Sequence, residues 1–114
     1  KPIGEFQMNQ DMIAQMATDI EAARLLVYKA AWEKDRGNLN NGLDVAQAKY
    51  FAGETAMKCA QSAMRILGAY GYSTEYPLAR FYRDIPTYVI VEGSANICKS
   101  IIAMDRLGIR KANR

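Results

Sequence analysis

The sequence contains no histidine, only two cysteines and three prolines, and no long apolar run. Without histidine, Ser-His-Asp triads and most zinc and haem sites are excluded, and we predict no metal site. Cys59 and Cys98 are far apart and have no CxxC partner, which indicates reduced core thiols rather than a disulfide framework. No segment approaches the ~20 apolar residues of a membrane span, and no signal-peptide pattern appears. Half of the residues are hydrophobic and about a quarter are charged, which is an ordinary composition for a soluble globular domain.

A strong excess of one charge is also absent, since the net charge is only +3 over 114 residues. Lysines and arginines form no cluster with interleaved aromatic residues, and the basic tail from Arg106 to Arg114 is short. A nucleic-acid partner is therefore not expected. The length fits one small domain or a piece of one. The chain begins without methionine at Lys1, inside a turn-like segment, which suggests a fragment of a longer protein.

Two long amphipathic segments dominate the sequence. Apolar residues at spacings of three and four predict a helix from Phe6 to about Asp35. They predict a second helix that runs to about Leu67, with Asp44 in its first turn or at its N-cap. The predicted core positions of the first helix are Met8, Met12, Ile13, Met16, Ile20, Ala23, Leu26, Val27, Ala30 and Ala31. Those of the second are Val45, Ala48, Phe51, Ala52, Thr55, Cys59, Ala63, Ile66 and Leu67.

The remaining segments predict shorter elements. Residues 68–77 form an irregular connection, and Pro77 to Arg83 can form a short helix. A last helix runs from about Ser94 to Leu107 and is ended by Gly108; its apolar side carries Ile97, Ile101, Ile102 and Met104. The fold class is therefore all-α, an up-and-down helical bundle with three main helices. Three helices leave apolar surface uncovered, so we expect a fourth helix or a second subunit to cover it.

Glu92 is the clearest candidate for a catalytic residue. It follows the apolar run Tyr88 to Val91 and precedes Gly93 and Ser94, which resemble a turn and an N-cap. Desolvation against the apolar run would favour its protonated form, as suits a general base. The alternative is an acid in the first turn of the last helix that complements the helix dipole.

The glycine-containing turn that starts at Gly68 also allows two interpretations. Its backbone amides could lie against a phosphate or an adenine ring. The other interpretation is a helix C-cap followed by an ordinary loop, and a lone GxxG spacing does not decide between them.

Four motifs, in order, resemble the C-terminal helical domain of acyl-CoA dehydrogenases. Residues 66–77 (ILGAYGYSTEYP) resemble the family pattern I-x-G-G-x-G-[YF]-x-x-E-[YF]-P. Residues 80–84 (RFYRD) and 91–94 (VEGS) resemble its R-D and Y-E-G-T motifs, and residues 4–7 (GEFQ) resemble its F-G-K-x-x-x-x-[FH]-Q segment. The resemblance covers nearly the whole chain.

This resemblance implies a longer FAD enzyme, usually a homotetramer, in the bacterial cytoplasm or the mitochondrial matrix. Residues 1–114 would be its C-terminal domain without the first helix of the four-helix bundle, and without the N-terminal and β-domains. The implied reaction is the α,β-dehydrogenation of an acyl-CoA thioester, with an electron-transferring flavoprotein as partner.

The resemblance also implies roles for individual residues. Glu92 matches the base that removes the α-proton, and Gly93 allows close approach of the substrate beside it. Residues that match FAD-contacting positions, in some cases of the FAD bound to a neighbouring subunit, are Gln7, Arg65, Ile66, Leu67, Gly68, Ala69, Ser94 and Asn96.

Four positions depart from the family pattern. Val91 replaces a common Tyr, and Asn96 is shorter than the usual Gln or Glu, which affects the acyl pocket or the flavin contact. Arg65 replaces Gln and Ala69 replaces a second Gly, which affects the adenine and diphosphate contacts. Two alternative functions stay open: a non-catalytic helical association module that self-associates, and an acyl-CoA oxidase or decarboxylating relative.

Overall fold

A computed structural model of the chain describes residues 1–109. Within them, a 3-10 turn at Ile3–Glu5 precedes six helices. The helices are α1 Gln7–Asp35, α2 Gly42–Leu67, α3 Ala69–Tyr72, α4 Leu78–Asp84, α5 Thr87–Ile90 and α6 Ala95–Arg106. The predicted all-α class is confirmed. The basic tail noted above continues past residue 109 and from there lies outside the described residues.

Helices α1 and α2 form a long antiparallel hairpin. At the loop end, Lys29 forms an ion pair with Asp44, and the buried Asn41 side chain donates to the Ala30 carbonyl oxygen at 2.9 Å. Gly37 ends α1 in the left-handed region at φ 87°, as its position after the apolar stripe predicts. The hairpin accounts for the elongated shape, with extents of 57 × 27 × 25 Å.

The buried residues of the two long helices have small side chains. Ala23 and Ala30 of α1 and Ala46, Ala48, Thr55 and Ala60 of α2 are buried. Small residues at these positions allow the helix axes to approach closely. The burial of Ala23, Ala30, Ala48 and Thr55 was predicted, whereas that of Ala46 and Ala60 was not.

Several predicted core positions are instead exposed. Met8 is 81% exposed, and the other predicted core residues that are exposed are Ile13, Ile20, Val27, Ala31, Val45, Leu67 and Ile97. Their burial was wrongly predicted. On α1 the apolar stripe is wider than the surface that α2, its main helical neighbour, covers, and Val45 and Leu67 lie near the two ends of α2. Exposed apolar surface of this kind favours association, so self-association of the chain stays a prediction.

The last helix packs against α2 and is well defined at both ends. The Ser94 hydroxyl oxygen accepts from the Ile97 amide at 3.4 Å, which confirms Ser94 as the N-cap, and Gly108 ends the helix at φ 65°. Lys99 forms an ion pair with Glu54 of α2 at 3.7 Å. Cys98 is buried, while Cys59 is only half-buried, and both thiols are free. The core position predicted for Cys59 is therefore only partly correct.

Two one-turn helices were not predicted. Helix α3 lies within the connection predicted as irregular, where Gly71 packs closely against Leu78 and Met64. Helix α5 begins after Pro86, whose fixed φ suits a helix start, and occupies the apolar run before Glu92. Neither has the length that a periodic pattern needs to be visible. No helix within residues 1–109 has both the length and the apolar character to cross a membrane.

Candidate functional site

Glu92 lies in a strained turn between α5 and α6. Its φ is 53°, and it is the only non-glycine residue with positive φ among residues 1–109. Gly93 follows at φ 93°, so two consecutive residues have left-handed backbone. This conformation costs an L-residue about 1–2 kcal/mol. Such strain is concentrated at functional sites, which makes this turn the first candidate.

The first turn of α6 holds this strained segment from one side. The Cys98 thiol donates to the Gly93 carbonyl oxygen at 3.6 Å, and the Cys98 side chain is 5% exposed. The Ser94 carbonyl oxygen accepts from the Cys98 amide at 3.0 Å. The backbone after Glu92 is therefore fixed by both the thiol and the N-cap of α6. Sequence reasoning missed this role of Cys98, since it placed the thiol only in the core.

The carboxylate of Glu92 points into an exposed environment. Glu92 is exposed, and the apolar run before it does not cover it, since Ile90 is 68% exposed and Val91 is 40% exposed. The expected desolvation of Glu92 is therefore wrong for this chain. The physical reason is that α5 lies on the surface and presents much of its apolar side to solvent. Burial of this carboxylate requires groups beyond the described residues.

The alternative role for Glu92, as an acid in the first helical turn, is also wrong. Helix α6 begins at Ala95 with Ser94 as N-cap, and its first turn contains no acidic residue. Glu92 precedes the N-cap by two residues, outside the turn in which the helix dipole is strongest. Ser94 and Asn96, which were predicted to contact FAD, lie at the start of the same helix. Both residues lie within four positions of Glu92 in the sequence, at the N-terminal end of α6.

A second cluster lies where α1 begins and α2 ends. Gln7 and Arg65 line one open pocket of about 600 Å³ together with Phe6, Met8, Asn9 and Met12. Of the turn residues predicted to act with Gln7, Arg65 to Ala69, only Arg65 lines this pocket, and the shared FAD contact stays a prediction. The guanidinium group of Arg65 suits an anionic ligand such as a phosphate.

The turn after Arg65 caps α2. The Gly68 amide donates to the Met64 carbonyl oxygen at 2.8 Å, and Gly68 has φ 58°, so the interpretation as a C-cap is confirmed. A Cβ atom built on Gly68 would meet nothing within 4 Å, which leaves the turn open to solvent. Ile66 is half-buried, whereas Leu67 and Ala69 are exposed. The cap does not prevent a ligand from approaching this turn.

The two clusters use different parts of the surface. Arg65 lines the pocket at the start of α1, whereas Val89 and Ile90, which lead to Glu92, line another pocket together with Gln61 of α2. Gln61 precedes Arg65 by four residues, which corresponds to about 6 Å along the helix axis.

Two further residues contact the segment that leads to Glu92. A Cβ atom on Gly53 would lie 3.0 Å from the Tyr88 carbonyl oxygen, and the Lys49 ammonium donates to the same oxygen. Sequence reasoning treated Gly53 only as a weak point in α2 and did not single out Lys49. The usable signal was a glycine in the interior of a helix, which often marks a close approach of another backbone.

The sequence of the chain is similar to known proteins of one family. Residues 1–107 match the family model described as "Acyl-CoA dehydrogenase, C-terminal domain". The chain is 79% identical over all 114 residues to a glutaryl-CoA dehydrogenase from Desulfococcus multivorans and spans 29% of that protein.

Solved structures are similar as well. A glutaryl-coenzyme A dehydrogenase in complex with glutaryl-CoA superposes with a TM-score of 0.94 at 79% identity, over 100% of this chain and 29% of that one. The FAD complex of PigA superposes with a TM-score of 0.88 at 31% identity, over 96% of this chain and 28% of that one. The chain thus spans less than a third of the length of these relatives.

Proposed function

Because the chain belongs to the acyl-CoA dehydrogenase family, we propose that residues 1–114 are the C-terminal helical domain of a longer FAD-dependent acyl-CoA dehydrogenase. In this proposal Glu92 is the base that removes the proton α to the thioester carbonyl. The observation that carries the proposal is the strained turn at Glu92, with φ 53°, held at the N-terminus of α6. A carboxylate fixed in this way is directed by the backbone as well as by its own rotamer.

The residues present fit the cofactor. The Gln7–Arg65 pocket offers a guanidinium and an amide to the diphosphate part of FAD. The open turn at Gly68 follows Arg65 by three residues in the chain. The Ser94 oxygen accepts from the Ile97 amide, so its hydroxyl proton can still be donated to a ligand. FAD, when bound, supplies the acceptor for the hydride from the β-carbon.

The exposure of Glu92 defines what the rest of the enzyme must add. A carboxylate in water is far too weak a base for a proton α to a thioester. Exclusion of water makes the carboxylate a stronger base, and hydrogen bonds to the thioester carbonyl make the α-proton more acidic. Together they bring the base and the acid closer in strength. We infer that substrate, flavin and the segments beyond this chain together cover Glu92. Gly93, which has no side chain, leaves room for the thioester beside the base.

The substrate, partners and location belong to the same proposal. The relationship to a glutaryl-CoA dehydrogenase supports a short acyl-CoA as substrate. A homo-oligomer, in which one subunit's Gln7–Arg65 pocket serves a flavin held mainly by its neighbour, is implied by the family resemblance and stays a prediction. An electron-transferring flavoprotein as acceptor, and a cytoplasmic or mitochondrial location, stay predictions.

The association module is the second candidate function. The exposed apolar residues of α1 and the exposed position of Glu92 favour it for the chain when it is separated from the rest of the enzyme. The two candidates differ in the complete enzyme, where only the first requires the carboxylate of Glu92.

The test uses a complete enzyme in which this chain replaces the matching segment of the Desulfococcus multivorans relative. We expect Glu92→Gln to retain FAD but to lose about 10²- to 10⁴-fold in α-proton exchange and in anaerobic flavin reduction by glutaryl-CoA. Glu21→Gln, which alters an exposed acid of α1, is the control and should match the parent. Flavin reduction at the parental rate in Glu92→Gln would contradict the assignment and favour the association module.

A further inference from the structure

We propose that Gly53 and Lys49 of α2 are positioning residues for Glu92, and that they act through the Tyr88 carbonyl group. The inference rests on the proposed role of Glu92 as a base. It concerns how the chain keeps a strained, exposed turn in a single orientation.

Gly53 allows an unusually close backbone contact. A Cβ atom at Gly53 would lie 3.0 Å from the Tyr88 carbonyl oxygen, 3.5 Å from its carbon and 3.7 Å from the Cα atom of Val89. All three atoms belong to the backbone, so no flexible side chain can move aside. Gly53 is buried, whereas the Tyr88 side chain is 59% exposed, so the backbone of α5 forms the contact.

Lys49 supplies the hydrogen bond at the same point. It precedes Gly53 by one helical turn, so the two residues share a face of α2. Its ammonium group donates to the Tyr88 carbonyl oxygen. The carbonyl groups at the end of a one-turn helix have no partner within that helix, and a cationic donor satisfies one of them strongly.

The contact is transmitted to Glu92 through a short, hydrogen-bonded segment. The Val91 amide donates to the Thr87 carbonyl oxygen at 3.0 Å, which ties the residue before Glu92 to α5. On the other side, the Cys98 thiol holds the Gly93 carbonyl oxygen at 3.6 Å. Glu92 therefore lies between two anchors, one on α2 and one on α6. Loss of the first anchor would let α5 shift and the carboxylate move away from the α-proton.

The experiment measures kcat, KM and flavin content in the complete enzyme with glutaryl-CoA. Gly53→Ala should lower kcat about three- to tenfold, because its Cβ atom would push the Tyr88 carbonyl group away by a few tenths of an ångström, and a displacement of about 1 Å at a reacting group can cost as much as 10²-fold. KM and FAD content should stay within about twofold of the parent. Gly42→Ala is the matched control in the same helix, since a Cβ atom there meets nothing within 4 Å.

Substitutions of Lys49 provide the second measurement. Lys49→Met keeps the length of the side chain but removes the donor, and should lower kcat in the same way. Lys49→Arg restores a cationic donor and should recover most of the loss. If Gly53→Ala fails to bind FAD, the two Lys49 variants alone test the positioning role. Parental kcat in Lys49→Met, or equal losses in Lys49→Met and Lys49→Arg, would overturn the proposal.

Glu92→Gln, measured in parallel, separates this proposal from the proposed function. If Glu92→Gln is inactive while Gly53→Ala and Lys49→Met keep parental kcat, the base is right and the positioning role is wrong. If Glu92→Gln itself is active, the proposed function fails, and the positioning role fails with it.

Discussion

The left-handed backbone of Glu92 makes a prediction about stability that does not depend on catalysis. In most positions, replacing a residue by alanine is less damaging than replacing it by glycine, because glycine loses more conformational freedom on folding. At Glu92, with φ 53°, we expect the reverse order. Glu92→Gly should give a more stable protein than Glu92→Ala, although both variants lack the carboxylate.

The size of the difference follows from two opposing terms. Alanine keeps the cost of about 1–2 kcal/mol for left-handed backbone, whereas glycine removes it. Glycine in turn loses about 0.5–1 kcal/mol through the entropy of the unfolded chain. The net expectation is that glycine is more stable than alanine at position 92 by about 0.5–1 kcal/mol. No hydrogen bond or ion pair to another described residue holds the Glu92 carboxylate, so truncation adds little to this difference.

The assay is thermal unfolding of the complete enzyme, followed by circular dichroism at matched FAD occupancy. Ser100, an exposed residue of α6, provides the control pair. There Ser100→Ala should melt above Ser100→Gly, because glycine costs a helix interior about 1 kcal/mol relative to alanine. The reasoning is refuted if Glu92→Ala melts above Glu92→Gly, since the turn would then not be strained. Equal melting of the Ser100 pair would show that the assay cannot resolve such differences.

Two further predictions concern the hairpin. Asn41→Ala should destabilise the chain by about 1 kcal/mol in urea titrations, since it removes the buried hydrogen bond to the Ala30 carbonyl oxygen. Asn41→Asp should cost more, because it points a carboxylate at that oxygen; an Asp variant as stable as the parent would contradict the contact. Burial raises the pKa of the Cys59 thiol, and the Asp19 carboxylate raises it further. Because the thiolate is the reactive form, the alkylation rate of Cys59 should begin to increase at a higher pH in the folded protein than in the urea-unfolded protein. Coincident pH profiles of the two states would be evidence against this environment.

Much of the fold follows from local patterns. The long helices were predicted because apolar residues repeat with the helical period over many turns, and both Gly37 and Gly108 were recognised as helix ends. Helix α1 begins one residue after the predicted start, and Asp44 lies in the first turn of α2, one of its two predicted positions. The N-cap role of Ser94 was also predicted, because a hydroxyl before an apolar-periodic segment has a specific hydrogen-bonding partner in the helix.

The candidate site was only partly predictable. Ordered motifs identified Glu92, Gln7 and Arg65, and the structure places the last two in one pocket. The environment of Glu92 was not predictable from the apolar run before it. Whether an apolar neighbour covers a carboxylate depends on where its helix lies, and α5 lies on the surface.

The sequence by itself determined the helical period, the helix ends and the identity of the acid that precedes α6. These depend on contacts within a few residues, which a linear pattern records. Only the tertiary structure decided that Glu92 has left-handed backbone, that its carboxylate is exposed, and that Gly53 lies against the Tyr88 carbonyl group. The contact at Gly53 joins segments more than thirty residues apart in the chain, and no local pattern encodes which backbones will touch. The exposure of Glu92 depends in the same way on where α5 lies relative to the rest of the chain.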